Sequence, residues 1–139
     1  INSRTDEVQA AVLRVKLPRL DKDNEHRRLI ASKYMEGIKN PMIQLPLWPR
    51  DVQECVWHVF PIRCAERDTL QKYLAEAGVH TLIHYPIAPH KQQALSHLEH
   101  GPLPLTQRIH EEELSLPISP LMTLEDAEYV ISLINKFVK

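Results

Sequence analysis

The chain has 139 residues, with 17 basic and 18 acidic side chains and a formal net charge of −1. A balance this even excludes the basic surplus that non-specific nucleic-acid or anionic-membrane binding requires. Its three glycines, Gly37, Gly78 and Gly101, stand too far apart for a P-loop or a dinucleotide fingerprint, which places at least two within about six residues. Any phosphate must therefore be met by side chains or helix ends.

The first predicted element is a helix over about Thr5 to Leu17, with Val8, Ala11, Val12 and Val15 on one face. Ser3 or Thr5 is the expected cap, and Asp6 and Glu7 suit the first turn. Pro18 either opens a second helix or kinks a continuous one. The charged run from Arg19 to Gly37 reads as a solvated helix, with Asp23 able to pair with Arg27 one turn on. Lys39 to Glu54 carries Pro41, Pro46 and Pro49 without a regular period and reads as a long loop.

Val56 to Arg63 is aromatic and β-branched, a strand in which Pro61 points to an edge position or a bulge. Glu66 to Ala77 is a helix with Gly78 as its stop. A second short strand is predicted over Val79 to Ile83. Short helices are predicted around Lys91–Leu98 and Thr106–Leu114, and a brief third strand over Ser115 to Ile118. Thr123 and Asp126 frame the last helix, which buries Leu124, Ala127, Val130, Ile131 and Ile134. The order predicts an α+β (two-layer) domain, residues 1–139, with long N-terminal helices on a sheet of about three strands.

No apolar stretch approaches about 18 residues, so no membrane-spanning helix is expected, nor is there a charged-then-apolar leader. Cys55 and Cys64 lack metal or redox spacing, which points to a reduced, cytoplasmic setting. The start, Ile1-Asn2-Ser3-Arg4, has no initiator Met and runs straight into a helix, so the chain is expected to be part of something longer.

Eight histidines invite a metal reading. However, no HExxH or paired CxxC is present, and His80 and His84 on one strand face would stand about 13 Å apart. Surface histidines are the expectation, with no metal. There is no GxSxG elbow and no activating pattern around Cys55, which argues against a nucleophile triad. Glu111, Glu112 and Glu113 read as a solvated acidic surface. Two segments stand out. Asn2-Ser3-Arg4 places polar groups at a helix N-terminus, where an anion is favoured, although on spacing alone ordinary capping by Ser3 is the preferred reading. His84-Tyr85-Pro86-Ile87-Ala88-Pro89-His90 is a proline-stiffened turn presenting an imidazole, a phenol and a second imidazole. It serves either as a ligand wall or as plain turn chemistry.

Taken together, four segments resemble the DegT/StrS family of nucleotide-sugar aminotransferases. Asn2 to Leu13 (NSRTDEVQAAVL) is similar to the family's NSR…E…QAA motif, with Thr5 and Val8 departing mildly. Trp57-His58-Val59-Phe60 resembles its WHVF strand, Gly78 to His90 its G-x-x-T-x-x-HYP-x-P-x-H segment, with Ala88 between the prolines, and Leu114 to Pro120 with Thr123 its closing LSLP motif. The order is the family's, and the motifs cover nearly the whole chain.

The resemblance implies the C-terminal small domain of a fold-type I, pyridoxal 5′-phosphate (PLP)-dependent homodimeric enzyme. Such enzymes move an amino group, usually from glutamate, onto a keto group of a nucleotide-linked deoxysugar. Asn2 matches the residue that reaches the cofactor phosphate of the partner subunit, and Arg4 lies in the same cross-subunit loop near the substrate. His84 and Tyr85 match positions lining the nucleotide-sugar pocket. The HYP form resembles the branch that aminates 3-keto sugars. The family's Schiff-base lysine lies upstream of the NSR motif, so the large PLP-binding domain is expected to be absent from this chain. No lysine here matches the catalytic context, and the chain is expected to be inactive alone and not to hold PLP. The alternative is a stand-alone ligand-binding or oligomerisation module without catalysis.

Overall fold

The structure, a computed structural model, describes residues 6–98 and 101–138. Helix α1 spans Glu7–Lys16 and is capped by Asp6, whose carboxylate accepts from the Val8 N–H at 2.8 Å. The expected caps Ser3 and Thr5 lie outside the described residues. Pro18 sits in a 3₁₀ turn, Leu17–Arg19, that joins α1 to α2 (Leu20–Gly37). A proline has no N–H for the α-helical ladder, so the join tightens there.

The charged run on α2 is more than a solvated face. His26, Arg27 and Arg28 are half-buried and tie the helix to two loops. His26 Nε2 lies 2.6 Å from the Met122 carbonyl, Arg27 donates to the Ile118 carbonyl at 3.0 Å, and Arg28 to the Cys55 carbonyl at 3.1 Å. Arg27 therefore spends its guanidinium on loop carbonyls, where the spacing had predicted a pair with Asp23.

Helix α3 spans Arg67–Glu76 and ends as its glycine predicts. Gly78 has φ +79°, Val79 N–H reaches the Leu74 carbonyl at 2.8 Å, and Gly78 N–H reaches that of Ala75 at 3.0 Å. These paired bonds form a Schellman motif, which needs the left-handed residue that glycine supplies. The helix expected near Lys91–Leu98 is instead two 3₁₀ turns, Pro89–Lys91 and Gln93–Leu95, separated by the extended Gln92. Helix α4 spans Pro104–Glu112 and α5 spans Leu124–Lys136. Thr123 and Asp126 close the predicted capping box in both directions, and the bonds from Thr123 hold the Asp126 carboxyl below its ordinary pKa.

The sheet is smaller than the three strands expected. Strands β1 (Phe60–Arg63) and β2 (Glu113–Leu116) pair antiparallel, with Phe60 opposite Leu116 and Arg63 opposite Glu113. Strand β1 begins at Phe60 rather than Val56 because Trp57 turns the backbone to φ +50°. The expected strand over Val79–Ile83 is reduced to a bridge between Leu82 and Ser115, and Gln44 makes a similar bridge to Arg63. Pro61 faces the edge as predicted. Ser115 commits both its N–H and its C=O to Leu82, and Arg63 commits both of its own to Gln44. The Pro61–Ser115 pair is thus a non-hydrogen-bonded one, where a missing N–H costs the ladder nothing.

Phe60 and Ile62 of β1 and Leu114 and Leu116 of β2 share one sheet face. That face joins one apolar core with Ile30, Ala31 and Tyr34 of α2, Leu70 and Leu74 of α3, and Ala127, Val130 and Ile134 of α5. The opposite face carries Glu113 and Ser115, and it is there that the proline-stiffened turn comes to rest. No helix among the described residues is long and apolar enough to cross a membrane.

Candidate functional site

The site is assembled from the chain after Leu82 and the strand β2. In an antiparallel ladder continuing from the Leu82–Ser115 bridge, His84 stands opposite Glu113. The Glu113 side chain replaces its backbone at that rung. Its Oε2 accepts from the His84 N–H at 2.7 Å, while its own carbonyl accepts from Arg67 at 3.1 Å. A side chain taking the ladder bond ends the strand pairing at His84 and pins that residue to β2.

The imidazole is pinned as well. His84 Nδ1 lies 2.9 Å from Ser115 Oγ, and Ser115 Oγ donates to Glu113 Oε1 at 2.6 Å. Glu113 and Ser115 are buried, 6% and 5% exposed, two apart on β2 and therefore on one face. This overturns the reading of Glu111 to Glu113 as one solvated acidic surface. The helix ends at Glu112, and the change to strand geometry turns Glu113 inward. Glu112 faces Arg63, 2.8 Å from its guanidinium, and Glu111 remains exposed.

Serine, histidine and carboxylate meet here in the wrong order for nucleophilic catalysis. A triad places the imidazole between the hydroxyl and the acid, so that the base can take the hydroxyl proton. Here the hydroxyl stands in the middle and directs its proton to the carboxylate. Ser115 is a structural bridge.

Tyr85 follows with its ring edge-on to His84, centroids 5.4 Å apart, and with 67% of its surface exposed. The bond joining the two residues is a cis peptide. The Tyr85 carbonyl lies 2.7 Å from His110 Nδ1, which ties the turn to α4. Beside it, a cavity of about 190 Å³ is bordered by Arg67, Pro86, Lys91 and His110. A larger cavity of about 540 Å³ lies elsewhere, between the start of α5 and the segment Gly78–His80, and touches neither His84 nor Tyr85.

The structure thus brings His84 and Tyr85 together. Asn2 and Arg4, the expected cofactor- and substrate-facing residues, lie outside the described residues. No group of three or more His, Cys, Asp or Glu among the described residues is arranged to hold a metal ion. Glu113 and Ser115 were missed because three consecutive glutamates read as helix surface. Their spacing of two within a strand was the available signal.

A lysine that forms a Schiff base requires a desolvated pocket to activate its amine. Every described lysine is exposed or half-buried, and Lys33 and Lys72 face Glu128 and Glu76. Among the described residues no lysine is buried in such a pocket.

Residues 1–135 match the model of the DegT/DnrJ/EryC1/StrS aminotransferase family. The dTDP-3-amino-3,6-dideoxy-α-D-galactopyranose transaminase of Aneurinibacillus thermoaerophilus is 50% identical over 137 residues, covering 99% of this chain and 38% of that protein. Among solved structures, S. venezuelae DesV superposes with a TM-score of 0.90 at 37% identity, over 99% of this chain and 38% of its own. NtdA of Bacillus subtilis, solved with bound cofactor PMP, superposes with a TM-score of 0.84 at 29% identity, over 96% and 32%. The chain spans 32–38% of the length of these relatives.

Proposed function

This chain belongs to the DegT/DnrJ/EryC1/StrS aminotransferase family, and we propose that residues 1–139 form the C-terminal small domain of a PLP-dependent nucleotide-sugar aminotransferase. The whole enzyme moves an amino group, usually from glutamate, to the keto group of a nucleotide-linked deoxysugar. It acts in the cytoplasm as a homodimer with a large N-terminal domain that carries the Schiff-base lysine. The observation that carries this reading is the alignment of 137 residues, half of them identical, with a protein named as a dTDP-3-amino sugar transaminase. That name also favours a 3-keto substrate.

Within this reading His84 and Tyr85 line the nucleotide-sugar pocket. The turn holds both backbones, through Glu113 and His110, while the Tyr85 phenol stays exposed. Asn2 reaches the cofactor phosphate in the partner subunit, and Arg4 stands near the substrate. When bound in the whole enzyme, PLP supplies the electron sink that amino-group transfer requires.

The test is made on the whole enzyme, given PLP, glutamate and a dTDP-linked 3-keto deoxysugar. It is expected to produce 2-oxoglutarate, and Tyr85→Phe or His84→Ala to raise the sugar KM by about tenfold, the worth of one hydrogen bond. The 139-residue chain mixed with PLP is expected to show no absorbance band surviving dialysis. A persistent band overturns the fragment reading. Sugar binding without turnover in the whole protein would favour a binding module.

A further inference from the structure

The Glu113–Ser115–His84 chain of hydrogen bonds fixes more than the position of the ring. As a carboxylate, Glu113 can only accept, so at 2.6 Å the hydroxyl proton of Ser115 points to it. Ser115 Oγ then has only lone pairs left for His84. The contact at 2.9 Å is favourable only if His84 Nδ1 carries the proton and donates it. In the neutral ring Nε2 is consequently bare, and it has no hydrogen-bond partner among the described residues.

We propose that Glu113 and Ser115 are positioning residues that lock His84 in the Nδ1–H form, presenting Nε2 as an acceptor for a donor group of the ligand. Resting on the nucleotide-sugar reading above, that donor is a sugar hydroxyl. An acceptor nitrogen attracts a hydroxyl and repels an ionised phosphate oxygen, so the lock also selects what the neutral ring will face. The burial of both partners matters, because it keeps water from replacing the Ser115–Glu113 bond that sets the direction of the hydroxyl proton.

Substituting the acid gives a sharp test, because a glutamine at position 113 reverses the polarity of the chain. The backbone N–H of His84 can only donate, so the new amide must turn its oxygen there and its NH₂ toward Ser115. Ser115 then accepts from the amide and donates to His84 Nδ1, and the imidazole proton moves to Nε2.

The experiment is nitrogen-15 NMR of histidine-labelled protein, without ligand, at a pH where the ring is neutral. In the wild type His84 is expected to show a protonated Nδ1 and an unprotonated Nε2. Glu113→Gln is expected to exchange these signatures. Ser115→Ala, which only removes the bridge, is expected to abolish the preference for Nδ1–H and serves if the first variant does not fold. A wild-type ring protonated on Nε2, or an Nδ1–H form that survives in whichever variant folds, overturns the lock. In the whole enzyme, Glu113→Gln is expected to raise the sugar KM about tenfold, and by more than kcat falls. The NMR signature requires no substrate, so the lock and the aminotransferase reading fail separately. A correct tautomer without any sugar dependence of activity would sink the latter alone.

Discussion

Tyr34 is fully buried on α2, yet its phenol is not an apolar residue's substitute. The hydroxyl donates to the Pro117 carbonyl at 2.7 Å, just beyond β2, and burial pushes its pKa well above the usual value. The ring packs against Phe60 with centroids 5.0 Å apart. Tyr34→Phe keeps that packing and removes one donor, leaving a half-buried carbonyl unmet. A loss of about 1–2 kcal/mol is expected in urea unfolding; an unchanged midpoint would mean that water reaches Pro117. His84 and Tyr85 were legible as candidates at the same scale, because prolines beside rings stiffen a turn. Glu113 was not. Its identity says solvent, and only the change from helix to strand at Glu112 turns it inward.

At the scale of elements, α2 and α5 are clasped where both end. The side chain of Asn40, just after α2, donates to the Ile134 and Phe137 carbonyls at 2.8 and 2.7 Å. Asn135 on α5 replies, accepting from Lys39 N–H at 2.7 Å and donating to the Gly37 carbonyl at 2.8 Å. Each helix thus supplies the other's C-terminal carbonyls with the donors they otherwise lack. Gly37 permits the approach, since a Cβ there would meet Ile131 Cδ1 at 2.7 Å. Asn40→Asp removes both donors and faces two carbonyls with a carboxylate, so a loss of about 2–4 kcal/mol is expected. Equilibrium denaturation measures it, and a wild-type midpoint would show that the clasp contributes nothing. The helices themselves follow from periodicity and end signals in the sequence. The clasp does not, because its partners are 94 or more residues apart.

At the scale of the whole molecule, α1 is the unfinished part. None of its residues is buried, and Val8, Val12 and Val15 are 73%, 50% and 74% exposed. A 10-residue helix without tertiary cover is marginal in water. In the isolated chain its amides are expected to exchange hydrogen rapidly when dilute. Concentration should slow that exchange as chains cover one another's apolar stripes, with sedimentation showing association and Val12→Lys suppressing it. A clean monomer at high concentration would count against this.

What the sequence determined alone is the set of local features and the family. Hydrophobic spacing, the Thr123–Asp126 capping box, the Gly78 stop and the edge placement of Pro61 each depend on neighbours a few residues away, and each is legible there. So is the absence of any glycine-built phosphate cradle. Tertiary structure alone decided how much sheet forms and what the site contains. The strand predicted over Val79–Ile83 shrank to one bridge, blocked on both sides of it: the Glu113 carboxylate captured the His84 N–H, the next ladder donor, and Pro117, opposite His80 in that register, has no N–H to give. That single capture joins residues 29 apart and turns a presumed surface acid into the anchor of the imidazole. Pairings across such distances are set by the packing of β2 against the turn, which no local pattern records.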